Sequence, residues 1–129
     1  MEYYFSTILP VSFDKAIALT VDALKTEGFG IVSEIDMQAK INEKLGVKFK
    51  KYTILGACNT EIAYKALQVE EMIGTMLPCN FIIIDKENGS TEIAAVYPVA
   101  SMMAVQIPEL KLLAQEVTGK LKKVFEFLY

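Results

Sequence analysis

Hydrophobic and polar positions switch period repeatedly along the chain. Glu2 to Leu9 gathers Tyr, Phe, Thr and Ile, which suits a first β-strand, and Pro10 stops it. From Phe13 the apolar residues fall at helical spacing: Phe13, Ala16, Ile17, Thr20, Val21 and Leu24. Ser12 precedes them as a cap, Asp14 sits in the first turn, and Gly28 is the stop signal. Phe29 to Ile35 reads as a second strand. Met37, Ile41 and Leu45 recur every four residues and predict a short amphipathic helix over 36–45, ended by Gly46.

The second half repeats the alternation. Tyr52 to Cys58 reads as a strand, followed by a helix capped by Asn59 or Thr60. Ile62, Ala66, Val69 and Ile73 form one face of that helix, which the pattern carries to Ile73, with Gly74 as its end. Asn80 to Asp85 and Thr91 to Tyr97 are strands flanking Asn88-Gly89, a pair that tolerates positive φ and marks a hairpin. The stretch 98–107 has no period. Pro108 then opens a long helix whose stripe is Leu110, Leu113, Ala114, Val117, Leu121, Val124 and Leu128.

The hairpin rules out a purely parallel, doubly wound sheet. The order of elements predicts an α+β fold in two layers: a curved, mostly antiparallel sheet with helices on one face, and the long C-terminal helix lying across it. A chain of 129 residues fits one domain spanning 1–129 and buries about two thirds of its unfolded surface.

Composition narrows the chemistry. Apolar residues make up 53% of the chain, too many for disorder, yet no apolar run nears the roughly 20 residues of a membrane span. The start, Met1-Glu2-Tyr3-Tyr4-Phe5, lacks the basic and apolar pattern of an export signal, so a cytoplasmic location and no membrane partner are expected. The net charge is −3 and Arg is absent, which disfavours nucleic acid as a partner. Lys40, Lys44, Lys48, Lys50 and Lys51 read either as an anion site or as a solvated surface. There is no His, hence no Ser-His-Asp triad, no Cys-His dyad and no imidazole ligand. Two cysteines do not make a tetrahedral zinc site, so no metal is assigned, and the sequence identifies no cofactor.

The two cysteines, Cys58 and Cys79, mark the one constellation with chemical potential. If a strand ends at Cys58 and a helix starts at Thr60, the thiol lies beside the positive end of a helix dipole. Gly56 and Ala57 ahead of it let a backbone or a ligand approach closely. Cys79 follows Leu77-Pro78 at another strand boundary, and Asn59 and Asn80 follow the two cysteines with amides that can donate. Buried packing is the alternative for both thiols. Whether they meet depends on strand direction: antiparallel strands bring them to one end of the sheet, parallel neighbours to opposite ends. Met72, Met76, Met102 and Met103 are read as core fillers, with soft metal ligation as the alternative.

The segment Ile54-Leu55-Gly56-Ala57-Cys58-Asn59, with Ala63, Ala66 and Leu67, then Gly74-x-x-Leu77-Pro78-Cys79-Asn80, resembles the signature of the family called domain of unknown function 302. Glu43-Lys44-Leu45-Gly46 and the Pro-opened last helix agree with it, so the resemblance covers nearly the whole chain. It implies a fold of the TATA-binding-protein-like class and a homodimer. It implies no reaction. The family pattern continues Cys-Asn-Pro where this chain has Cys58-Asn59-Thr60, and Thr60 replaces a preorganised helix start with a capping side chain.

Three functions compete. The first is a small-molecule-binding domain using Gly56, Cys58, Asn59, Thr60, Cys79 and Asn80. The second is a thiol-based redox or sulfur-handling protein, with Cys58 and Cys79 as candidate catalytic residues. The third is an interaction module acting as a dimer.

Overall fold

A computed structural model of the protein describes residues 2–128; Met1 and Tyr129, which the single-domain reading includes, lie outside the described residues. Strands β1 (Tyr4–Leu9), β2 (Gly30–Asp36), β3 (Tyr52–Cys58), β4 (Cys79–Asp85) and β5 (Thr91–Val96) form a five-stranded sheet in the order β1-β5-β4-β3-β2. Every pairing is antiparallel. Helices α1 (Phe13–Thr26), α3 (Thr60–Val69) and α5 (Pro108–Leu128) are the main helical elements; α2 (Met37–Leu45) and α4 (Pro98–Ser101) are short.

The register sorts the strands into two faces. Leu55, Phe81, Ala95 and Phe5 form one row across the sheet, and Thr53, Ile83, Ile93 and Thr7 form the next. This face meets the helices. Phe81, Ile83 and Ile93 are fully buried there with Leu24 of α1 and Leu121 and Val124 of α5. Phe125 stacks on Phe81 at 5.9 Å between centroids, which locks α5 against β4. Buried Thr20 and Thr118 are tolerated because each hydroxyl donates to the carbonyl four residues earlier, both at 2.8 Å.

The opposite face is also apolar: Ile35, Ile54, Ile82 and Ala94 form its central row. No helix buries it. Ile8 is 56% exposed and Ile35 40%.

Most predicted elements hold within a residue or two, with two departures. The helix predicted to reach Ile73 ends at Val69, and a 3-10 segment covers Glu71–Met76. Glu70 adopts an extended conformation between them, and its carboxylate accepts from the Met72 amide, which starts a new turn instead of continuing the old one. The stretch 98–107 is not wholly irregular, since Pro98 at a first-turn position opens α4.

The lysine segment after α2 is solvated: Leu45 beside it is 71% exposed, and no residue of α2 is buried. Among the described residues no helix is long and apolar enough to cross a membrane.

Candidate functional site

Antiparallel pairing of β3 with β4 resolves where the cysteines lie. Ala57 is the cross-strand partner of Cys79, so Cys58 is one residue past that partner, and both thiols sit at the same end of the sheet. Both are free and half-buried. Burial, and secondarily the charge of Cys58, pushes the Cys79 thiol up to about 11. Burial thus favours the protonated form of the Cys79 thiol at neutral pH.

A recess of about 310 Å³ opens at this end of the sheet. Its floor is Ala57, Cys58 and Cys79 from β3 and β4. Ile62, Ala63 and Ala66 of α3 form one wall; Leu110, Leu113 and Ala114 of α5 form another. Met76 and Leu77 close it from the 3-10 side, and Pro98 and Met102 from α4 and its C-cap. Small residues create the space: Ala57, Ala63, Ala66 and Ala114 face inward where larger side chains would fill it. Among the described residues no charged side chain lines it.

The sequence-predicted residues divide by role. Cys58, Cys79 and Asn80 line the recess, as does Asn59. Asn59 is the cap of α3, accepting from the Ile62 amide at 3.2 Å, while its Nδ2 donates to the Glu27 carbonyl at 3.3 Å. One side chain thus ties the start of α3 to the end of α1. Thr60 is exposed and does not line the recess. Gly56 is buried and contacts protein: a Cβ there would collide with the Ser33 hydroxyl and come within 2.7 Å of Pro78 Cγ. The Leu77–Pro78 peptide is cis.

Sequence reasoning did not assign Met76, Met102 or Ala63 to the site. The methionines gave a weak signal, four of them near the cysteines, but nothing local distinguishes Met76 and Met102 from Met72 and Met103. The structure turns Met72 and Met103 outward, 69% and 65% exposed. Among the described residues no group of three His, Cys, Asp or Glu side chains is placed to hold a metal ion.

The comparisons with known proteins agree with this architecture. The crystal structure of an uncharacterized conserved DUF302 protein from Bacillus stearothermophilus superposes with a TM-score of 0.89 at 25% identity, covering 98% of each chain. No curated protein matches the chain. The family model described as "Domain of unknown function DUF302" matches residues 5–128, spanning both cysteine segments, the sheet and the long last helix, and the chain belongs to that family.

Proposed function

We propose that this protein is a small-molecule-binding domain whose ligand occupies the recess above Cys58 and Cys79 and presents an uncharged, largely apolar surface to it. The observation that carries this reading is the lining: a recess of about 310 Å³ with apolar walls, two thiols and no charged side chain. Ligand sites of small molecules start at about 300 Å³ and combine apolar walls with a few polar groups that set orientation. A charged ligand would lose its hydration with no partner to compensate. The two thiols supply polar contacts, and Asn59 positions the α3 end of the wall through its two main-chain hydrogen bonds.

The test is a thermal-shift screen of uncharged small molecules against the wild type and an Ala63→Leu variant. Ala63 lines the recess from a half-buried helical position, so leucine fills space without breaking the helix. A ligand present at 100 times its Kd raises stability by about 2.7 kcal/mol. Stabilisation of the wild type but not of Ala63→Leu supports the reading; equal stabilisation of both, or none across the panel, contradicts it.

A second reading, dimerisation, is favoured by a separate observation. The sheet face bearing Ile8, Ile35, Ile54 and Ile82 has no helix over it, and large exposed apolar patches mark association surfaces. Light scattering should report a concentration-dependent dimer that Ile82→Lys converts to a folded monomer. A wild-type monomer at all working concentrations contradicts this second reading.

A further inference from the structure

Two cavities meet at one side chain. The recess of about 310 Å³ is bounded on one side by Pro98, Ser101 and Met102 and on another by Leu110, Leu113 and Ala114. Next to that corner lies a second pocket of about 330 Å³, lined by Val99, Met102, Met103, Lys111, Ala114 and Gln115. Met102 and Ala114 line both. Helical spacing explains the division. On α5, Leu110 and Leu113 face the recess, Lys111 and Gln115 line the second pocket, and Ala114 stands at the seam.

Ala114 presents only a methyl group, so Met102 is the partition. Its main chain is fixed: the amide donates to the Pro98 carbonyl and the carbonyl accepts from the Val105 amide, both at 3.0 Å. Its side chain is half-buried and packs against the cluster of Ala66, Ile73 and Leu110. A methionine side chain is unbranched and has three rotatable bonds. Rotation about them moves the thioether aside without moving either helix.

We propose that the ligand of the recess is an uncharged, elongated amphiphile: its aliphatic chain fills the recess, passes the Met102 side chain, and places a hydroxyl or carbonyl end beside Lys111 and Gln115. This rests on the reading of the recess as a site for an uncharged apolar ligand and names the class of that ligand. The two pockets differ in the way such a molecule requires. The recess has apolar walls and, among the described residues, no charged side chain, which suits the chain. The second pocket adds an ammonium and an amide, both donors, on exposed side chains. An oxygen placed there keeps hydrogen-bond partners and water, and avoids the cost of burial unpaired. A charge on that end adds little, because an ion pair with exposed Lys111 is screened by solvent. Chain length is therefore the property the site selects.

The test is a two-dimensional amide NMR titration of wild type, Met102→Ile and Gln115→Phe with straight-chain primary alcohols from butanol to decanol. Isoleucine is branched at Cβ and stiff at χ1, so it does not swing clear of the seam. Phenylalanine in place of exposed Gln115 fills the second pocket from outside the recess. Butanol should shift amides around the recess, Ala63 and Leu113 among them. Decanol should also shift Val99, Met103 and Lys111. Wild-type affinity should rise about fourfold for each methylene buried, past the chain length at which the variants level off. In each variant the loss for decanol should exceed any loss for butanol by about tenfold or more, the effect of two methylenes left in water. Circular dichroism checks that each variant is folded. Shifts confined to the recess at every chain length, or one length dependence shared by wild type and both folded variants, overturn the extension past Met102 and leave the recess reading standing. No saturable shift with any alcohol overturns both.

Discussion

Gly56→Ala isolates a steric requirement that the sequence pointed to and the structure specifies. The added Cβ would overlap the Ser33 hydroxyl and lie 2.7 Å from Pro78 Cγ. The hydroxyl sits at the end of a rotatable side chain and can turn away. The proline ring is fixed to its own main chain, so relief there requires β3 and the segment before β4 to separate. Overpacking of this kind costs about 1–3 kcal/mol, against a gain of about 0.5–1 kcal/mol for replacing glycine within a strand. The steric cost prevails, and Gly56→Ala should destabilise by about 1–2 kcal/mol. A chain of 129 residues unfolds with an entropy of about 0.27 kcal/mol/K, so the melting temperature should fall by roughly 4–7 °C. Urea unfolding should show a lower midpoint with an unchanged m-value. Ser33→Ala in the same background should restore part of the loss, because it removes the hydroxyl collision and leaves the proline contact. A Gly56→Ala protein as stable as wild type would refute the steric account.

Other perturbations follow from the same geometry. Burial raises the folded-state pKa of Cys79 from its ordinary value of 9.0 to about 11, so its thiol is protonated in both states below pH 9 and its contribution is then intact; between pH 9 and 11 the unfolded chain ionises first and stability falls. The urea midpoint should drop across that window, and Cys79→Ala should flatten the drop. Asn59→Ala removes both the α3 cap and the link to the Glu27 carbonyl and should cost about 1–2 kcal/mol by urea denaturation, with Asn59→Asp losing less because it keeps the capping oxygen. Phe125→Ala removes the ring stacked on Phe81 in the buried core and should cost about 3–5 kcal/mol, read as a fall in melting temperature.

The elements were legible because their signals are local. The stripe from Leu110 to Leu128 and the Asn88-Gly89 turn need only a few neighbouring residues, and α5 and the β4–β5 hairpin lie where they were expected. The end of α3 was misplaced because Ile73 continues the helical spacing, while the capture of the Met72 amide by Glu70 leaves no periodic trace. Phe125 was absent from the predicted stripe, although it is four residues past Leu121 and 5% exposed. The chemistry of the site was legible only in its floor. Gly56-Ala57-Cys58 and Pro78-Cys79 stood out by residue type, but their meeting depends on strand direction, a property of the whole sheet. The helical walls were legible as apolar stripes, Ile62 and Ala66 on α3 and Leu110, Leu113 and Ala114 on α5, but nothing local showed that they turn toward the cysteines. Met76 and Met102 lie in segments without period, and the bond from Asn59 to Glu27 spans 32 residues.

The central claim is that the recess above Cys58 and Cys79 takes an uncharged apolar ligand. Its most direct test is a two-dimensional amide NMR titration of the protein with toluene. The account predicts saturable shifts at Ala57, Cys58, Ala63 and Leu113, which line the recess, and their loss in Ala63→Leu. Shifts that never saturate, or that follow Ile54 and Ile82 on the open sheet face instead, would contradict it.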